Sequence, residues 1–164
     1  MKHIFIYDLI QSVCQTVAPN GEMFMSGGLA HSIVLGLELQ ESSDMDIYTT
    51  GDVSPSQLSR IITLIKHLLP KVNLDSHPHI SDIRVLEVSS TNIRTNIEIR
   101  IEHSNPLLTR VIVLQFMHKV FTNLCNPLVA FDFNAVKVLL RLKDMTFYGT
   151  SEVRLIPPPS HHTL

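Results

Sequence analysis

Met25-Ser26-Gly27-Gly28-Leu29-Ala30-His31-Ser32-Ile33-Val34-Leu35-Gly36, followed by Ser43-Asp44-Met45-Asp46-Ile47-Tyr48, is the stretch whose reading decides the fold. A Gly-Gly turn brings backbone N–H groups close to an anion, because glycine has no Cβ and tolerates positive φ. Asp44 and Asp46 are two residues apart, so on a strand both side chains leave the same face. Two carboxylates on one face are hard oxygen ligands of the kind that hold a divalent cation beside phosphates.

Working outward, apolar residues Ile4, Ile6, Leu9, Ile10, Val13, Cys14 and Val17 recur at helical spacing, and Pro19-Asn20-Gly21 ends the run. Residues 22–25 read as a short buried strand leading into the glycines, and residues 29–37 as a helix. Residues 45–48 read as a strand with Met45 and Ile47 on one side and Asp44, Asp46 and Tyr48 on the other. A loop over 49–55 follows. Ser54 then caps a helix with Pro55 at its first position, and Leu58, Ile61, Ile62, Ile65, Leu68 and Leu69 form its apolar stripe up to Pro70. Strands are expected over 83–88, 95–101 and 111–116. A short helical piece is expected at 120–124 or 127–129, before Phe131-Asp132-Phe133 and an apolar run reaching Leu140.

The order helix, strand, turn, helix, acidic strand, helix, strands predicts an α+β fold with a mixed β-sheet and helices packed mainly on one face. Residues 1–155 form one expected domain. Residues 156–164, with Pro157-Pro158-Pro159, form a proline-rich tail expected to be extended or flexible.

The chain has 164 residues, 45% hydrophobic and 17% charged, the composition of one ordinary globular domain. Its net charge of −2 gives no basic excess to attract nucleic acid nonspecifically. Cys14 and Cys125 lack metal-ligand spacing and read as buried thiols. The N-terminus does not follow a signal-peptide pattern, and no apolar run is long enough to span a bilayer, so an intracellular, cytoplasmic protein is expected.

The segment 23–50 resembles the nucleotidyltransferase superfamily, which includes DNA polymerase β, CCA-adding enzymes and poly(A) polymerases. The resemblance rests on a hydrophobic strand, Gly27-Gly28, a helix, and Asp44-Met45-Asp46-Ile47. The run from Gly27 to Gly36 is closest to the CCA-adding pattern, with His31 where that pattern has Arg and Ser32 where it has Asp. The resemblance implies a minimal polymerase β-like fold that transfers a nucleoside monophosphate from an NTP such as ATP to a hydroxyl acceptor. The acceptor is left open: a nucleic acid end, a protein or a small molecule, with a partner subunit as one way of gripping it. Mg²⁺ or Mn²⁺ is the implied cofactor. Asp44 and Asp46 are the implied metal ligands and catalytic carboxylates, and Ser26, Gly27, Gly28 and His31 the nucleotide-binding residues. The family's third carboxylate falls to Asp132, with Glu98 as the competitor. The alternative is a catalytically inactive binding or assembly module on the same fold.

Other motifs carry less. His77-Pro78-His79 has two imidazoles without a third ligand in view and reads as a surface loop; His161-His162 sits in the tail. Lys66, Lys71, Arg84, Arg94, Arg100 and Arg110 are scattered, although Arg94 and Arg100 would line an acceptor groove if they face the acidic strand. Gly-x-Ser-x-Gly and Gly-x-x-x-x-Gly-Lys-Ser/Thr are both missing from the sequence, which disfavours a nucleophile-elbow hydrolase and a P-loop NTPase.

Overall fold

Alternation of apolar and polar residues builds most of this molecule, and the computed structural model describes residues 4–26, 30, 42–121, 138–149 and 161–163. Helix α1 (Ile4–Val17) is followed by strands β1 (Gly21–Ser26) and β2 (Ser42–Gly51). Helix α2 (Pro55–Leu68) continues into a 3₁₀ turn over Leu69–Lys71. Strands β3 (Ile80–Ser90), β4 (Arg94–His103) and β5 (Arg110–Phe121) form the meander that follows. Short strands β6 (Val138–Arg141), β7 (Phe147–Gly149) and β8 (His161–Thr163) complete the set.

The eight described strands form one sheet in the order β3-β4-β5-β2-β1-β6-β7-β8. It is mixed: β2 lies parallel to β5 and β7 parallel to β8, while the other neighbours are antiparallel. The fold is therefore α+β, as the element order predicts.

Both described helices pack on one face of the sheet and against each other. That face presents Met23 and Met25, Met45 and Ile47, Ile97 and Ile99, and Leu114 and Phe116, all fully buried. Burying each such side chain stabilises the fold by about 1.5–3 kcal/mol, so the alternation in β2 decides which face its aspartates leave by. Cys14 lies in the same core, and burial, followed by the charge of Glu22, pushes its thiol up to about 11. It is an inert structural thiol. On the other face, Phe24, Leu139 and Tyr148 form a smaller apolar cluster with Tyr48 packed beside it.

The start of α2 follows its sequence signature. Ser54 accepts from the Gln57 N–H at 3.2 Å, and the Gln57 side chain accepts from the Ser54 N–H at 2.8 Å, a complete capping box with Pro55 in the first turn. Gln57 also donates to the Val17 carbonyl at 3.3 Å, fastening α2 to the end of α1. Ser54→Ala is expected to cost about 1 kcal/mol, read as a lowered midpoint in urea unfolding, with Ser54→Asp retaining most of the stability.

Several boundaries differ from the sequence expectation. Thr49, Thr50 and Gly51 belong to β2 rather than to a loop, because they continue the ladder with β1 down to Gly21 opposite Gly51. Gly51 sits at φ +93°, and a Cβ there would lie 2.6 Å from the Asn20 carbonyl oxygen, so the strand ends on the one residue type that fits. Val120 and Phe121 are strand, not helix: they pair with Thr49 and Thr50 beyond an irregularity in the β2–β5 register. Val138–Arg141, at the end of the apolar run reaching Leu140, form strand β6, held against β1. Within the tail, residues 161–163 pair with β7. Leu68 is 38% exposed, whereas Leu69 is buried by the 3₁₀ turn. The expected helix at 29–37, the 127–129 piece and Phe131-Asp132-Phe133 lie outside the described residues, apart from a buried Ala30.

Candidate active site on the open face of the sheet

The register of five strands composes the site. Asp46 on β2 lies opposite Ser26 on β1 and Gln115 on β5, and Gln115 lies opposite Asn96 on β4, itself paired to Ser89 on β3. One step along, Asp44 lies opposite Val113, Val113 opposite Glu98, and Glu98 opposite Glu87. All these residues leave the face that the helices do not cover. Asp44, Glu87, Ser89, Asn96, Glu98, Val113 and Gln115 together line a polar cavity of about 290 Å³.

Asp44 is exposed, while Asp46 is half-buried. Burial, and next the Asp44 carboxylate, push the Asp46 pKa above its ordinary value, and the Arg94 guanidinium pulls it part of the way back. The pair is thus a place where the fold resists a second negative charge. Ser26 is 1% exposed at the end of β1. It hydrogen-bonds Tyr48, whose phenol is raised by burial and by the charge of Asp46, with the Ser26 bond opposing. Tyr48 in turn packs its ring 5.8 Å from that of Phe121.

The register and the electrostatics place Ser26, Asp44 and Asp46 on one face, Ser26 opposite Asp46. Gly27, Gly28, His31 and Asp132 lie outside the described residues, although Gly27 directly follows Ser26 in the chain. Glu98 shares the face and the cavity of Asp44 but stands two strands away, about 10 Å between backbones. Among the described residues, no three His, Cys, Asp or Glu side chains converge into a metal-holding group. The side chains that β5 places directly beside the aspartates are Gln115 and Val113.

Sequence reasoning missed Glu87, Ser89, Asn96 and Gln115. Their only local signal is strand alternation, and the partner strand is a nonlocal fact. Asn96 lines the cavity, and its Oδ1 is enclosed with no hydrogen-bond partner among the described residues. Of the two arginines set aside for a groove, Arg94 reaches the acidic pair electrostatically. Arg100 is engaged instead with Glu102 at 3.3 Å, which also bonds Arg84 at 2.7 Å. The stacked rings of His79 and His103, with centroids 5.7 Å apart, belong to loop packing near the far end of β4.

Two oxygen ligands on one face, one of them disfavouring its own ionisation, fit a divalent cation, which would relieve that repulsion. A stability consequence follows without any cation. Because the folded-state pKa of Asp46 is raised, the fold is favoured at low pH and loses stability as pH rises through that pKa. Asp46→Asn is therefore expected to raise the melting temperature near neutral pH. The gain should vanish below about pH 4, where the unfolded carboxylate is protonated as well. Thermal melts of both proteins across pH 3–8 read it, and a gain independent of pH would contradict the electrostatic cause.

Neither the family models scanned nor the curated proteins searched contain a match to this sequence. Among solved structures, the chain is similar to the apo form of CCA-adding enzyme, with TM-score 0.48 and 14% identity, covering 87% of this chain and 28% of that one. It is similar also to CCA-adding enzyme in complex with ATP, with TM-score 0.49 and 14% identity, covering 88% of this chain and 28% of the other. A third similarity is to terminal uridylyl transferase 4 from Trypanosoma brucei with bound UTP and UMP, at TM-score 0.35 and 14% identity, covering 67% of this chain and 33% of that one. The chain thus spans a third or less of the length of these three proteins.

Proposed function

We propose that this chain is a nucleotidyltransferase-fold protein that binds a divalent metal and an NTP on the open face of its sheet and transfers a nucleoside monophosphate to a hydroxyl acceptor. The observation that carries the reading is the placement of Asp44 and Asp46 side by side on that face, with Ser26, the residue that enters the Gly27-Gly28 turn, opposite Asp46. The sequence resemblance over residues 23–50 supports it independently. In this reading Asp44 and Asp46 hold Mg²⁺ or Mn²⁺, and Gly27 and Gly28 offer backbone N–H groups to the triphosphate, with Ser26 and His31 as further contacts. The metal, when bound, supplies charge neutralisation at phosphate and acidification of the acceptor hydroxyl. Asp132 is the proposed third carboxylate, with Glu98 as its rival. Arg94 balances the charge of the acidic pair.

A second reading is favoured by one specific observation: β5 sets an amide and an apolar side chain, Gln115 and Val113, directly beside the aspartates. A fold with only two acids in place binds metal-nucleotide as a module without transferring it. Isothermal titration of ATP with and without Mg²⁺ tests the binding that both readings share. Incubation with labelled NTPs, Mn²⁺ and candidate acceptors separates them. Lack of Mg²⁺-dependent ATP binding would overturn both.

A further inference from the structure

Successive residues of the edge strand β3 point to opposite faces, and the second cavity they help to form lies away from the acidic one. Glu87 and Ser89 line the acidic cavity, whereas Val88 and Ser90 line a cleft of about 450 Å³ between β3 and helix α2. The body of this cleft is apolar, formed by Leu58 and Ile62 of α2 and Val88 of β3. Its helix side also carries Ser59, Thr63 and Lys66. Among the described residues Lys66 has no ion-pair partner, and the Ser59 and Thr63 hydroxyls have no hydrogen bond.

The sheet side ends in a chain of hydrogen bonds. His118 Nδ1 lies 3.3 Å from the Asn92 carbonyl oxygen, which only accepts, so Nδ1 carries a proton. His118 Nε2 lies 2.7 Å from the Thr95 hydroxyl, which in turn lies 2.9 Å from the Ser90 hydroxyl. This end is polar and internally hydrogen-bonded, while the solvent-exposed hydroxyls and cation that carry no partner among the described residues belong to α2. Among the described residues no carboxylate lines the cleft.

We infer that this cleft is a second ligand site, on the helix face of the sheet, for a small amphipathic anion. The apolar body of the ligand rests on Leu58, Ile62 and Val88, and its anionic head takes Lys66 with the Ser59 and Thr63 hydroxyls. The site is independent of the nucleotide reading, because the sheet itself separates it from Asp44 and Asp46.

The test is a titration of ¹⁵N-labelled protein with octanoate, followed by amide chemical shifts, with octylamine as the cationic counterpart of equal length. Octanoate is expected to shift amides of α2, the end of β3 and His118 while leaving those around Asp44 unmoved. Lys66→Gln, at an exposed position, should weaken octanoate about fivefold, the ratio for loss of one partly exposed charge contact. Val88→Asp, at a position 38% exposed and so tolerant of the change, should abolish octanoate binding by placing a carboxylate in the cleft. The inference is overturned if octanoate produces no shifts at millimolar concentration, if octylamine binds wild type equally well, or if Lys66→Gln leaves octanoate affinity unchanged.

Discussion

The double variant Asp44→Asn/Asp46→Asn is expected to weaken Mg²⁺-dependent ATP binding by on the order of 100-fold or more, with no loss of folded protein. The magnitude reflects the removal of both proposed anionic ligands, since even partners outside the ligand shell of a metal change affinity by about 10–100-fold. Asparagine keeps the size of each side chain, and neither aspartate belongs to the buried apolar core, so circular dichroism and the melting curve should report an intact fold. Calorimetric titrations of ATP with Mg²⁺ present or removed by chelation supply the measurement. Equal affinity in wild type and variant would place the nucleotide elsewhere or nowhere. The single variants sharpen the outcome. Asp44 is exposed and Asp46 half-buried, so Asp46→Asn changes apo stability with pH as well as binding, whereas Asp44→Asn acts chiefly on the cation.

Phe116→Ala is expected to destabilise the fold by about 3–5 kcal/mol, the range for truncating a fully buried phenylalanine. Phe116 is 0% exposed and occupies the centre of the sheet's helix face, with Ile47 of β2 on one side and Thr95 of β4 on the other. It is the residue after Gln115 on β5, so the same ladder that buries the ring sets Gln115 against Asp46. At 2–4 °C per kcal/mol the melting temperature should fall by roughly 10 °C or more. Phe116→Leu should lose much less, because most of the volume is retained. Urea unfolding of the three proteins reads the difference. A loss below about 1 kcal/mol in the alanine variant would mean that the site collapses around the vacancy and that packing here does not hold the register.

Much of the fold was legible because its signals are local. The helical period in residues 4–17, the Ser54 cap with Pro55 at the first helical position, and the alternation of Met45 and Ile47 with the aspartates each depend on neighbours a few residues away. The boundaries that differed were set from outside. Thr49 to Gly51 read as a loop, yet they are held as strand by Gly21 to Met23. Val120 and Phe121 read as helix, yet they pair with Thr49 and Thr50. Backbone hydrogen bonds to a partner strand outweigh the weak propensity of a few residues.

The candidate site divides along the same line. The amino-acid order alone determined that Asp44 and Asp46 share a face and oppose Met45 and Ile47, because a strand has period two and the apolar pair must be buried. It also determined that Ser26 leads into the glycines. Only the tertiary structure decided that Ser26 lies opposite Asp46, that Gln115 stands beside it, that Glu98 is two strands removed, and that Arg94 rather than Arg100 answers the acidic charge. Those placements follow from the strand order and from the parallel register of β2 on β5. Register is selected by the burial of whole strands against α1 and α2 together, so no short segment of the chain contains it.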